Sequence, residues 1–125
     1  MAYSTQRQQP EMPIHWIGSS LDDLRLFPEP VQDVMGYALY LAQCGERHAA
    51  AKSLRGQLRG MMQVSESHLG NAFRVVYTNK LRGAVYVLHA FLKKSKHGKA
   101  TPRADLDLIQ RRYHLAQRHY ESKGE

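Results

Sequence analysis

An α+β domain with the order β-α-α-β-β-β-α and a small, mainly antiparallel sheet is what this sequence predicts, on three observations. Residues 31–42 repeat their apolar side chains at helical spacing. Three strand-like runs then follow, separated by short glycine-containing turns. A last helix opens on Thr101-Pro102 and carries a single apolar seam.

Taken in order, residues 1–13 are polar with Pro10 and Pro13, and read as a flexible tail ahead of a single domain over 14–121. Ile14-His15-Trp16-Ile17 is a short strand ended by Gly18. Ser19 or Ser20 offers an N-cap, and Asp22 and Asp23 favour the first turn of a helix through its dipole. That helix stops before Pro28, since the residue ahead of a proline resists the α region. A second helix starts near Glu29 to Val31 and presents Val31, Val34, Met35, Ala38, Leu41 and Ala42 on one face. Cys44-Gly45 closes it, the glycine suiting a left-handed C-cap, and Pro28 with Pro30 folds the two helices into a hairpin.

A loop through His48-Ala49-Ala50-Ala51 and KSLRGQLRG leads to strands expected at 61–66, 73–78 and 84–92. Gly70 and Gly83 mark the turns between them. The last run is apolar at nearly every position, which reads as a central strand covered on both faces. In the final helix Pro102 suits the first helical position and Asp105 the N-terminal turn, and Leu106, Ile109, Tyr113, Ala116 and Tyr120 form the seam.

Composition narrows the function. A chain of 125 residues with 42% hydrophobic content supports one core, no apolar run is long enough to span a membrane, and the N-terminus has no secretory apolar segment. The single cysteine, Cys44, suits a reducing cytoplasm. Net charge is +7, and it is concentrated: eleven basic residues stand against one acid, Glu66, between Lys52 and Arg103. A polarity of this kind expects an anionic partner, and a phosphate backbone is the commonest. No GxSxG, HExxH, CxxC or glycine-rich phosphate loop occurs, and the seven histidines lack metal-ligand spacing.

The basic elements converge on one surface. Arg74 sits mid-strand among apolar residues, where it either pairs with Glu66 on the neighbouring strand or projects toward a phosphate. Lys93 and Lys94 leave the last strand at its end, followed by Lys96, His97 and Lys99, while Lys52 and Arg55 lie in the loop before the sheet. Cleavage of RNA through its own 2′-hydroxyl needs charge stabilisation at phosphorus, which Arg and Lys supply, and proton transfers suited to imidazole. His89 and His97 are the nearest histidines. His89 shares a strand face with Val87 and Phe91, which favours a buried, hydrogen-bonded ring, and His97 is either solvated or functional. Tyr77 and Tyr86 either stack on bases or pack in the core.

The stretches HWIGSSLDDLRLFPEPVQDVMGYALYLAQCG, AKSLRG, FRVVYT and AVYVLHAFLKKSKHGKATP resemble the phage-derived Gp49-like toxins, close to the HigB-type members of the RelE/ParE superfamily. The resemblance runs from about residue 14 to residue 120. It implies a RelE-like fold of two N-terminal helices, a small antiparallel sheet and a C-terminal helix. It also implies the toxin of a type II toxin–antitoxin pair. Such a toxin is a ribosome-dependent mRNA endoribonuclease (an mRNA interferase) that inhibits translation in the cytoplasm, needs no metal or cofactor, and is neutralised by a helix-turn-helix antitoxin. Carried over residue by residue, the resemblance places Arg74, Lys93 and Lys94 as the catalytic, charge-stabilising groups. It places Lys52 and Arg55 in the basic segment, with Phe73 standing where the family has a tyrosine. The alternatives are a ParE-type inhibitor of DNA gyrase and an RNA-binding relic without catalysis.

Overall fold

The computed structural model describes residues 11–81, 83–93 and 101–123. Its elements are β1 (Ile14–Trp16), α1 (Ser20–Leu24), α2 (Glu29–Gln43), β2 (Ala51–Ser53), a 3-10 turn (Gly56–Leu58), β3 (Met62–His68), β4 (Asn71–Thr78), β5 (Val85–Lys93) and α3 (Arg103–Lys123). The α+β order is the expected one with one addition. Residues 51–53, read from sequence as loop, form an edge strand pairing antiparallel with β3, Ala51 opposite Val64 and Ser53 opposite Met62. Three residues of Ala-Lys-Ser carry no strand pattern of their own; the pairing and the Arg47 guanidinium on the Ala51 carbonyl (3.2 Å) hold them extended.

The sheet order is β1-β5-β4-β3-β2, with β1 parallel to β5 and every other neighbour antiparallel. β5 is an interior strand, flanked by β1 and β4 and covered on both faces, which is why almost every residue in it is buried. One face is covered by α1 and α2: Val31, Met35, Ala38 and Ala42 meet Val64, Val75, Tyr77, Val85 and Val87. The other is covered by α3, where Ile109 and Ala116 meet Val76, Tyr86, Leu88 and Phe91. A side chain on either face therefore sits between two layers, and each fully buried apolar one contributes about 1.5–3 kcal/mol.

The corner between α1 and α2 is fixed by Gln32, whose Nε2 donates to the Phe27 carbonyl at 2.8 Å and the Arg25 carbonyl at 3.1 Å. α2 ends as the glycine predicts: the Gly45 N–H donates to Ala42 (3.0 Å) and the Glu46 N–H to Leu41 (2.7 Å), the paired bonds of a Schellman cap. No helix among the described residues is long and apolar enough to cross a membrane.

One irregularity sets the geometry of the α3 face. Val76 pairs with His89 but Tyr77 pairs with Val87, so Leu88 is an extra residue in β5, a β-bulge. Its carbonyl accepts a hydrogen bond from Arg112 Nη1 of α3 at 2.9 Å. Arg112 Nη2 also donates to Ser19 Oγ (3.0 Å), and Ser19 Oγ to Asp23 (2.8 Å), so the bulge is bolted to both helical layers. The expectation that His89 shares a face with Val87 is corrected here. The bulge turns Leu88 and His89 together toward α3, while Val87 packs on the α2 side.

Candidate nucleic-acid interface

Cross-strand register places the basic residues in rows on the α3 side of the sheet. Lys52, Gln63, Val76 and His89 form one row; Ser65, Arg74 and Phe91 the next; Ser67, Ala72 and Lys93 the third. Because side chains alternate between faces, Glu66, which stands opposite Phe73, lies on the other side of the sheet. The pairing of Arg74 with Glu66 is thereby overturned. Arg74 faces Ser65 and Phe91, forms no ion pair among the described residues, and its buried Nε has no hydrogen-bond partner there. Burial holds its guanidinium below the ordinary arginine value.

Lys93 is buried at 5% exposure. Burial, and then the charge of Arg74, lower its ammonium below the usual lysine value. Two like charges have been brought within influence of each other on one face, an arrangement that costs folding free energy and that an anion between them would relieve.

His89 is sealed at 6% exposure, stacked on Phe91 with ring centroids 4.6 Å apart and 12° between planes. Its Nε2 lies 2.7 Å from Asp105 Oδ1. A carboxylate accepts, so Nε2 donates to it. The ring's Nδ1 is buried without a partner, and so is Oε1 of Gln63 in the same row. The neighbouring rows thus hold three buried polar atoms without a partner, Arg74 Nε, Gln63 Oε1 and His89 Nδ1. Buried polar atoms rarely stay unsatisfied, so the three together mark a place for a polar ligand or water.

The other expected residues divide as follows. Lys52 is exposed and belongs to β2, and Arg55 is exposed just beyond it, so neither lies in a free loop ahead of the sheet. Lys94, Lys96, His97 and Lys99 lie outside the described residues. Tyr77 and Tyr86 are each at 1% exposure and cannot stack on a base; both pack in the core, and burial raises both phenols above the ordinary tyrosine value. Among the described residues no three His, Cys, Asp or Glu side chains gather as a metal site requires.

Sequence reading missed two features. Asp105 was legible as a helix-dipole residue but not as the partner of His89, sixteen positions away. The second is an aromatic cluster at the opposite end of α3: Tyr86 Oη lies 2.8 Å from His119 Nδ1, with His15 and His119 rings 4.6 Å apart. Burial keeps Tyr86 a phenol, and its hydrogen bond with His119 pins the end of α3 to β5. An Asp on the first turn of a helix and a histidine in a covered strand were the only signals available for the first. For the second there was none.

Residues 22–114 match the family model described as phage-derived protein Gp49-like. No curated protein matches the chain. Among solved structures, the chain is similar to one from the toxin–antitoxin complex RelBE2 of Mycobacterium tuberculosis. The identity is 15% and the TM-score 0.49, over 67% of this chain and 100% of that one.

Proposed function

The chain belongs to the phage-derived Gp49-like protein family, and from that premise we propose that it is the toxin of a type II toxin–antitoxin pair, a metal-independent mRNA endoribonuclease that acts on the ribosome. The observation that carries this reading is the juxtaposition of Arg74 and Lys93 on one sheet face, each depressed in its titration by burial and Lys93 also by Arg74. A site built to receive a phosphate has this character, because the incoming anion removes the repulsion between the two cations.

In the reaction, the 2′-oxygen of the target nucleotide attacks the adjacent phosphorus. The O2′–P bond forms and the P–O5′ bond breaks, giving a 2′,3′-cyclic phosphate and a 5′-hydroxyl. One proton leaves the 2′-hydroxyl and one arrives at the departing 5′-oxygen, so no external reactant is needed. Arg74 and Lys93, with Lys94, take the extra negative charge that develops on the phosphoryl oxygens. His89 and His97 are the candidates for the proton transfers, His89 having its ring oriented by Asp105. Lys52 and Arg55, with Lys96 and Lys99, extend the positive field along which a message or ribosomal RNA is drawn in. The partners are a helix-turn-helix antitoxin, mRNA and the ribosome, and the site of action is the cytoplasm, where translation runs.

Mapping cut ends in a reconstituted translation mixture tests the proposal. Cuts in phase with the A-site codon, absent on naked message and lost in Arg74→Ala, are expected. Equal cutting of naked RNA would remove the ribosome from the mechanism. No cutting in either sample would discard the nuclease and make gyrase supercoiling the next assay.

A further inference from the structure

A cleft of about 330 Å³ opens between the β2–β3 connection and the β4–β5 connection, away from the Arg74 site. Leu54 and Met62 give it an apolar floor, and Arg59 and Lys80 stand at its rim, both exposed. Its volume falls in the range of pockets that hold small ligands, about 300–1,000 Å³.

The cleft is preorganised. Thr78, fully buried, donates through Oγ1 to the Gly60 carbonyl (2.9 Å) and accepts from the Lys80 N–H (3.2 Å), clamping the two connections together. The Leu54 N–H donates to the Met61 carbonyl at 2.9 Å and closes the loop between them. Gly60, at φ +92°, lets the Lys80 stem lie directly over the backbone; a Cβ there would come within 2.9 Å of Lys80 Cδ. The Lys80 stem thus runs along the cleft wall over Gly60 and brings its ammonium to the rim. Ser53 donates its hydroxyl to the Met62 sulfur (3.4 Å), a weak acceptor that an oxygen would replace.

An apolar floor with two cations at the rim and no carboxylate in the lining matches an unpaired base carrying a phosphate. We infer that this cleft is a nucleotide subsite. The base lies on Leu54 and Met62, and the phosphate lies between Arg59 and Lys80. The occupant is a nucleotide of the same single-stranded RNA that is cut, an assignment that rests on the nuclease reading above. Position supports it. Met62 lies about 10 Å along β3 from Ser65, the partner of Arg74, with its side chain on the α2 side of the sheet, so a strand that rounds the adjacent β2 edge reaches both cleft and site. Lys52, exposed on that edge strand in the row of Gln63, lies along this path.

The test is binding of a fluorescent hexaribonucleotide, with adenosine 5′-monophosphate as a second probe, to the wild type, Arg59→Met/Lys80→Met and Arg74→Ala. The methionines keep both stems and remove both charges, and thermal melting checks that the double variant folds. Expected for the double variant is about tenfold weaker RNA binding, with the slope of log affinity against log salt shallower by about 0.7 for each phosphate that is no longer neutralised. Amide shifts at Gly60, Met62 and Lys80 on adding RNA should vanish with it. Unchanged RNA binding in the double variant overturns the subsite even if message is still cut. Loss of binding in a protein that cuts no message leaves the subsite standing and removes the nuclease instead. Monophosphate binding as tightly as the hexamer overturns the assignment to RNA.

Discussion

Replacing Arg112 with methionine removes the bolt on the β5 bulge while keeping most of the side chain's apolar stem. Two bonds from a charged group disappear, to the Leu88 carbonyl at 2.9 Å and to Ser19 Oγ at 3.0 Å. The first matters more, because the bulge has already taken Leu88 out of register with β4, and Leu88 itself is at 0% exposure. A buried carbonyl left without a donor costs about 1–3 kcal/mol. Ser19 keeps its bond to Asp23 and its exposure to water, so its share is small. The expected loss is about 2–3 kcal/mol, which for a domain of this size lowers Tm by about 8–12 °C. Urea unfolding with an unchanged m-value would measure it, and amide exchange should speed up around residues 87–90. Gly18→Ala supplies a second arm. A Cβ at Gly18 would stand 2.7 Å from Arg112 Nε, at φ +61°. In the wild type it therefore costs both backbone strain and a displaced guanidinium. In the Arg112→Met background the methionine methyl, which takes the place of Nε but is held by no hydrogen bond, can swing aside, so the cost falls toward the strain alone, about 1–2 kcal/mol. A loss below about 0.5 kcal/mol for Arg112→Met, or strict additivity of the two changes, would refute the account of the bulge.

Three further perturbations act on buried titrating groups and on α3. Lys93 titrates below the usual lysine value, so between that depressed value and 10.5 the unfolded chain holds a proton that the folded one has lost, and stability rises with pH. Tyr77 and Tyr86 titrate above 10.0, so their contribution falls as pH climbs past that point; urea midpoints through the alkaline range should lose the rise in Lys93→Met and the fall in Tyr77→Phe and Tyr86→Phe. An alkaline curve that Lys93→Met leaves unaltered would contradict the burial of its ammonium. Asp105→Ala orphans His89 Nε2 and should cost about 1–2 kcal/mol in chemical denaturation. Asp105→Asn should instead shift the pH profile of message cleavage with little loss of stability, and an unchanged profile would take His89 out of the proton transfers. Tyr86→Phe loses the bond to His119, and should cost about 1 kcal/mol and increase exchange in the last turns of α3.

How much of the molecule was legible in the chain follows from what each feature depends on. Both N-terminal helices, the two hairpins and the apolar seam of α3 are written in local periodicity, prolines and glycines, and all appear where expected. β2 was invisible because a three-residue edge strand is made by its neighbour, not by its own residues. Arg74 stood out as a charge among apolar neighbours, yet its orientation depended on which β3 residue faces it, and a one-position difference in register separates Ser65 from Glu66. His89 was assigned to the face of Val87 because a regular strand alternates strictly; an extra residue at Leu88 leaves no mark in composition. The cleft beside Gly60 joins segments eighteen positions apart through the Thr78 hydroxyl, a contact that sequence spacing does not announce.

The bulge also bears on how the strand can evolve. β5 holds one residue more than its pairing with β4 requires, so its middle carries slack. An in-frame codon deletion that removes Ala90 can be absorbed by closing the bulge, with His89 taking the place opposite Val75. Phe91 then stays opposite Arg74 and Lys93 opposite Ala72, and both keep their face of the sheet. The ring of His89 would turn away from Asp105, while the cationic pair would survive in place. Nature could thus prune the imidazole from this surface in one genetic step without disturbing the charges, which makes the cationic half of this face harder to lose than its imidazole half.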